Sequence, residues 1–169
     1  MVTAFSNLGS MTAEPRWLSD DEQSFWRLLI ATRTTLMRVV EDSLLASSGL
    51  SSPEYAALVV LSEAEEQQLR LRDLCSALGW DRSRTSHQVT RMERRDLVTK
   101  EKSPGDGRGV LVRLTENGMQ RLELAVPDHV ETVRRAVFDH LDPADIPAIR
   151  RFLEGILSAE EIAAKTPNE

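Results

Sequence analysis

From Ser19 to Gly49 apolar residues recur at helical spacing: Trp26, Leu29, Ile30, Leu36, Met37, Val40 and Leu44. Ser19 is placed to cap this helix, acids fill its first turn and Gly49 ends it. "SSPEYAALVVLSEA" predicts a second helix, capped by serine with Pro53 in its first turn. "RLRDLCSALG" predicts a short third helix that stops at Gly79. In "WDRSRTSHQVTRMERRDL", Asp81 is a good N-cap; Thr85, Val89 and Met92 fit a core-facing stripe.

"LVTKEK" and "GVLVRL" break the helical period and carry β-branched residues, so they read as strands. Thr115 then caps a long helix striped by Met119, Leu122, Val126, Val130, Val133, Val137 and Leu141, with Pro127 expected to kink it. Asp142 and Pro143 open a last helix with an apolar face of Ile146, Ile149, Phe152/Leu153 and Ile156/Leu157. The fold class expected is mainly α with a small β-hairpin (α+β). Residues 1–16 read as a flexible N-terminus and 161–169 as a C-terminal tail.

Composition narrows the function classes. With 41% hydrophobic and 28% charged residues the chain is ordinary for a globular domain. No apolar run approaches a membrane span. A single cysteine excludes an internal disulfide framework, and the N-terminus lacks a signal-peptide pattern, so a cytoplasmic protein is expected. The net charge of -6 is uneven: Arg70–Arg113 holds eleven Lys/Arg against six Asp/Glu, while the rest holds ten against twenty-one. A basic segment inside an acidic chain is the footprint of a polyanion site, or else a solvated charged face. No catalytic triad spacing, phosphate loop or metal cluster is visible, so neither an enzyme nor a cofactor is expected.

"SPGDGRG" (103–109) lies between the two strands. A phosphate loop needs strand, glycine-rich turn and then helix. Here strand leads to strand, which predicts a hairpin tip. A tip carrying Arg108, just after a short helix with basic exposed positions, reads as a helix-turn-helix followed by a β-wing.

The span "LRLRDLCSALGWDRSRTSHQVTRMERRDLVTKEKSPGDGRGVLVRLTENG" resembles the MarR (multiple antibiotic resistance regulator) family of bacterial winged helix-turn-helix transcription factors. The resemblance rests on Leu78-Gly79, the pattern from Asp81 to Met92, Asp106-x-Arg108 and "VLVRLTENG". "WLSDDEQSFWR" is similar to the first-helix entry of many members. Two positions depart from the family pattern: Asp96 stands where a glycine is common, and Gly109 where an arginine is common.

The resemblance implies a homodimer whose helices in 17–50 and 115–160 interlock around a winged helix-turn-helix at 51–114. It implies a repressor on palindromic double-stranded DNA, released by a small aromatic effector, with Trp17 and Trp26 as pocket candidates. Arg82 and Ser83 are expected near phosphate. Arg84, Ser86, His87, Gln88 and Arg91 are expected at base edges or phosphates, since arginine can grip guanine and glutamine adenine. Arg108 suits a narrow minor groove, and Asp106 is implied to brace it. Lys102, with Lys100 and Arg113, is expected on phosphate or in solvent. Cys75 reads as a buried small hydrophobe rather than a redox switch. The alternative function is a winged-helix module that binds protein rather than DNA.

Overall fold

The computed structural model describes residues 15–102 and 109–164, with side chains to 158. The chain divides into two compact units, Met1–Thr35 and Leu36–Glu169. Helix α1, Asp20–Ser48, runs from the first into the second.

In the first unit, α1 starts with reciprocal bonds. Ser19 N–H donates to Glu22 Oε2 (2.8 Å), and Glu22 N–H donates to Ser19 Oγ (3.3 Å). The bonds from Ser19 hold the Glu22 carboxyl below the usual carboxylate range. Trp17 and Trp26 are exposed.

The second unit contains α2 (Ser52–Ser62), β1 (Gln68–Arg70), α3 (Leu71–Leu78), α4 (Arg82–Arg94), β2 (Val98–Lys102), β3 (Val110–Leu114), α5 (Glu116–Ala136) and α6 (Ile146–Ala164). Turns and caps follow the local chemistry. Gly49 and Gly79 end α1 and α3 at φ of +66° and +62°, in the left-handed region where glycine meets no Cβ penalty. Ser51 N–H donates to Glu54 Oε2 (2.9 Å) at the start of α2. Asp81 Oδ1 accepts from Arg84 N–H (2.8 Å) at the start of α4.

The three strands form one antiparallel sheet in the order β1-β3-β2. Val98 pairs with Leu114 and Lys102 with Val110, so residues 103–109 join neighbouring antiparallel strands, as the hairpin reading expected. The sequence does not predict the first strand, β1: three residues are too few to show alternation, and Arg70 belongs to this strand rather than to the third helix. The core gathers Leu44, Leu58, Leu61, Leu74, Met92, Val112 and Leu122 from α1 through α5.

The segment Leu114–Gly118 ties α5 to the end of α4. Leu114 is buried. Thr115 Oγ1 accepts from Gly118 N–H (2.9 Å) and donates to Asp96 O (2.6 Å). Asn117 Nδ2 donates to Arg95 O and Asp96 O (3.3 and 3.2 Å). Gly118 packs so closely that a Cβ there would collide with the Leu97 carbonyl oxygen. Asp96 itself sits at φ +55°, the left-handed turn for which its glycine-like position was singled out.

One helix expectation changes. The long fifth helix was expected to reach Leu141 but ends at Ala136, followed by a 3-10 turn at Phe138–His140. The backbone leaves helical geometry at Val137 (φ -126°, ψ -62°), and Pro143 holds Asp142 extended (ψ 126°) further on. Helix α5 passes through Pro127 as one element. Among the described residues, no single helix is long and apolar enough to cross a membrane.

Candidate nucleic-acid interface

Helix α4 separates its residues by polarity. Thr85, Gln88, Val89 and Met92 are buried and form its inner face. At roughly 100° per residue, the opposite face is centred on Ser83, His87, Thr90 and Arg94. Arg82, Arg84, Ser86 and Arg91 lie beside it and are exposed. The acids nearby are engaged: Asp81 caps the helix, and Glu93 pairs with Lys100 Nζ at 2.8 Å. The outward face therefore carries four arginines with no acid opposing them on the same helix. An α-helix of this size fits the major groove of B-DNA.

Two expected contacts change character. Gln88 is only 3% exposed, and its Oε1 accepts a hydrogen bond from Arg91 Nη2. It lies on the same face as Thr85 and Met92, so it supports Arg91 from beneath rather than presenting its own amide. Lys100 was expected on phosphate or in solvent, but it bridges β2 to α4 through Glu93 and Thr90 Oγ1 (3.2 Å). Lys102 is exposed at the end of β2. Asp106 and Arg108 lie outside the described residues.

Behind this face sits a polar anchor. Arg95 Nη1 donates to both oxygens of Glu54 (2.8 and 2.7 Å), and its Nη2 donates to Gly49 O (2.8 Å). Arg121 Nη1 on α5 donates to Ser48 O (2.9 Å). The end of α4, the α1–α2 turn and α5 thereby share one hydrogen-bonded joint.

Helices α1, α2 and α5 meet again through other polar groups. Ser43 and Thr132 share a hydrogen bond of 2.7 Å, and Ser52 N–H donates to Glu41 Oε2 at 2.7 Å. The Tyr55 and His129 rings lie 4.6 Å apart. Burial pushes the His129 pKa down and the Tyr55 pKa up. Ser47 Oγ, Ser52 Oγ and His129 Nδ1 are buried without a hydrogen-bond partner. Cys75, expected buried, is only partly so.

The MarR family model matches residues 48–109. The chain is similar along most of its length to AbsC of Streptomyces coelicolor, a MarR family transcriptional regulator: 38% identity, TM-score 0.81, covering 89% of this chain and all of that one. Sco3205 from the same organism, solved in complex with DNA, is 34% identical with a TM-score of 0.82, over 88% of this chain and 92% of its own. This chain belongs to the MarR family. Among curated proteins, the organic hydroperoxide resistance transcriptional regulator of Bacillus subtilis is 35% identical over 83 residues, 49% of this chain and 55% of that protein. The match spans about half the length of that relative. These relatives are regulators rather than enzymes.

Two residues at or beside this outward face are not among those the sequence singles out. Arg94 follows His87 by seven positions and Ser83 by eleven, so the helical period alone would have found it. Trp80 precedes the cap, and the Arg84 guanidinium carbon lies 4.5 Å from the centroid of its ring. The i,i+4 spacing was its only signal.

Proposed function

We propose that this chain is a sequence-specific transcriptional regulator that binds double-stranded DNA as a homodimer on a palindromic operator and represses from it in the bacterial cytoplasm. The polarity split of α4 carries the reading. Arg82, Ser83, Arg84, Ser86, His87 and Arg91 face outward over a buried inner face. Lys102 adds a cation at the hairpin, with Arg108 and its brace Asp106 on the tip that follows. Arginines on an exposed helix can grip guanine edges in pairs of hydrogen bonds and neutralise phosphates. The DNA complex of Sco3205 supports the same use of the fold.

The dimer draws its support from α6, where Ile149, Leu153, Ile156 and Leu157 are exposed, Leu157 by 71%. An apolar row of this kind calls for a partner surface. A two-fold dimer presents two recognition helices to successive major grooves, hence the palindrome. Light scattering should give about twice the 19.0 kDa chain mass, and Leu153→Glu with Leu157→Glu should lower it. The effector is proposed to be a small aromatic molecule, with exposed Trp17 and Trp26 as its stacking surface.

The deciding experiment is a mobility shift with DNA from upstream of the chain's own gene. A discrete complex that competes away with the same sequence, not a shuffled one, and weakens steeply with salt is expected. Salt-independent or absent binding would turn the reading toward a protein-binding module.

A further inference from the structure

We propose that Trp80 is a positioning residue for Arg84, holding its guanidinium ready to read a guanine in each half-site; this rests on the DNA-binding reading above. The backbone fixes Trp80 first. Trp80 N–H donates to Cys75 O (3.1 Å) and Gly79 N–H to Ser76 O (3.2 Å), closing the end of α3 around the left-handed Gly79. Trp80 is thus held by α3, one residue ahead of the cap of α4.

Arg84 is fixed at its other end. Its backbone N–H donates to Asp81 Oδ1. Its guanidinium carbon lies 4.5 Å from the centroid of the Trp80 ring, within the range of a cation–π contact. No ion pair engages Arg84 among the described residues.

The geometry of the contact matters for recognition. Stacking occupies one face of a planar guanidinium and leaves its edge donors free. Those edge donors are what guanine O6 and N7 require. A long exposed arginine otherwise loses rotamer freedom when it binds. Trp80 removes part of that cost before DNA arrives. It also favours arginine over lysine at position 84, because an ammonium has no plane to stack and no fork to offer.

The test uses the full chain and a duplex that the wild-type protein enriches from a random pool. Trp80→Leu keeps bulk but removes the π face; Trp80→Phe keeps a ring. Trp80→Leu should weaken binding roughly two- to fivefold per half-site, the size of an exposed cation–π contact. Trp80→Phe should recover most of it. In an Arg84→Ala background the Trp80→Leu effect should vanish, and the guanine preference should be lost in Arg84→Ala and weakened at the same base pair in Trp80→Leu. An equal loss with and without Arg84, or no loss, overturns the proposal. Should Trp80→Leu fail to fold, the wild type suffices: the Arg84 Nε–H proton resonance should show an upfield ring-current shift, and a random-coil position sinks the idea. If the wild type enriches no duplex at all, the DNA-binding reading falls, and this proposal with it. Enrichment followed by a flat response to Trp80→Leu rejects the positioning role alone.

Discussion

Arg95, the residue just beyond α4, grips both carboxylate oxygens of Glu54 at 2.8 and 2.7 Å, although Glu54 is 41 residues earlier and almost wholly buried. Arg95 itself is substantially exposed, so water screens the pair from one side. Removing the arginine still leaves a buried carboxylate with fewer donors. Arg95→Ala should therefore cost about 1–3 kcal/mol, less than a fully enclosed pair. Thermal unfolding measures it; an unchanged Tm would mean that Ser51 alone satisfies Glu54.

Asp96 carries a different constraint. At φ +55° its backbone sits where glycine rests without penalty, and its contacts to Thr115 and Asn117 run through its carbonyl. Asp96→Gly should keep those bonds and raise stability by about 0.5–1 kcal/mol, whereas Asp96→Val should lower it by more than that. A Tm that falls for glycine would assign the aspartate side chain a role of its own.

The contrast between these two residues marks what the sequence makes legible. The turn at Asp96 was readable because its requirement is local: a torsion angle, a neighbouring Leu97-Val98, a following strand. The caps at Ser19, Asp81 and Thr115 were readable for the same reason. The Glu54–Arg95 pair was not, because nothing in either segment names a partner so far along the chain. Gln88 was misread since its polarity suggested the outer face, while its helical angle beside Thr85 and Met92 puts it inside. The strand β1 stayed hidden because its pairing with β3 is long-range and only three residues long.

His129 should make stability fall with acid. Burial beside Tyr55 lowers its pKa from the ordinary 6.5, so the folded state resists protonation. Above about pH 6.5 the ring is neutral in both states and stability is full. As pH falls below that, the unfolded chain takes up the proton first, and stability is lost down through the lowered native value. His129→Gln should remove this component. The Tm gap between wild type and variant, compared at about pH 7.5 and about pH 5.5, should shift against the wild type at the lower pH; a constant gap rejects the assignment.

Arg108→Ala should weaken operator binding by about 1–3 kcal/mol per protomer and flatten the salt dependence, with little change in Tm. Asp106→Ala should weaken binding too, by less, although deleting an acid near DNA would ordinarily tighten it. Titrations across a salt series separate the cases. Tighter binding by Asp106→Ala with unchanged binding by Arg108→Ala would reduce the tip to a plain turn.

Gly118 faces an obstacle of another kind from that at Asp96. What blocks a side chain at 118 is the carbonyl oxygen of Leu97, with Leu114 Cδ1 2.9 Å away as the second barrier. A leucine methyl can rotate aside or be trimmed by mutation; a main-chain oxygen can be neither rotated away nor deleted. No second-site change in the library of natural substitutions removes that atom. Were every codon of this chain randomised and the survivors sequenced, position 96 would return several letters, asparagine and glycine among them. Position 118 would return one.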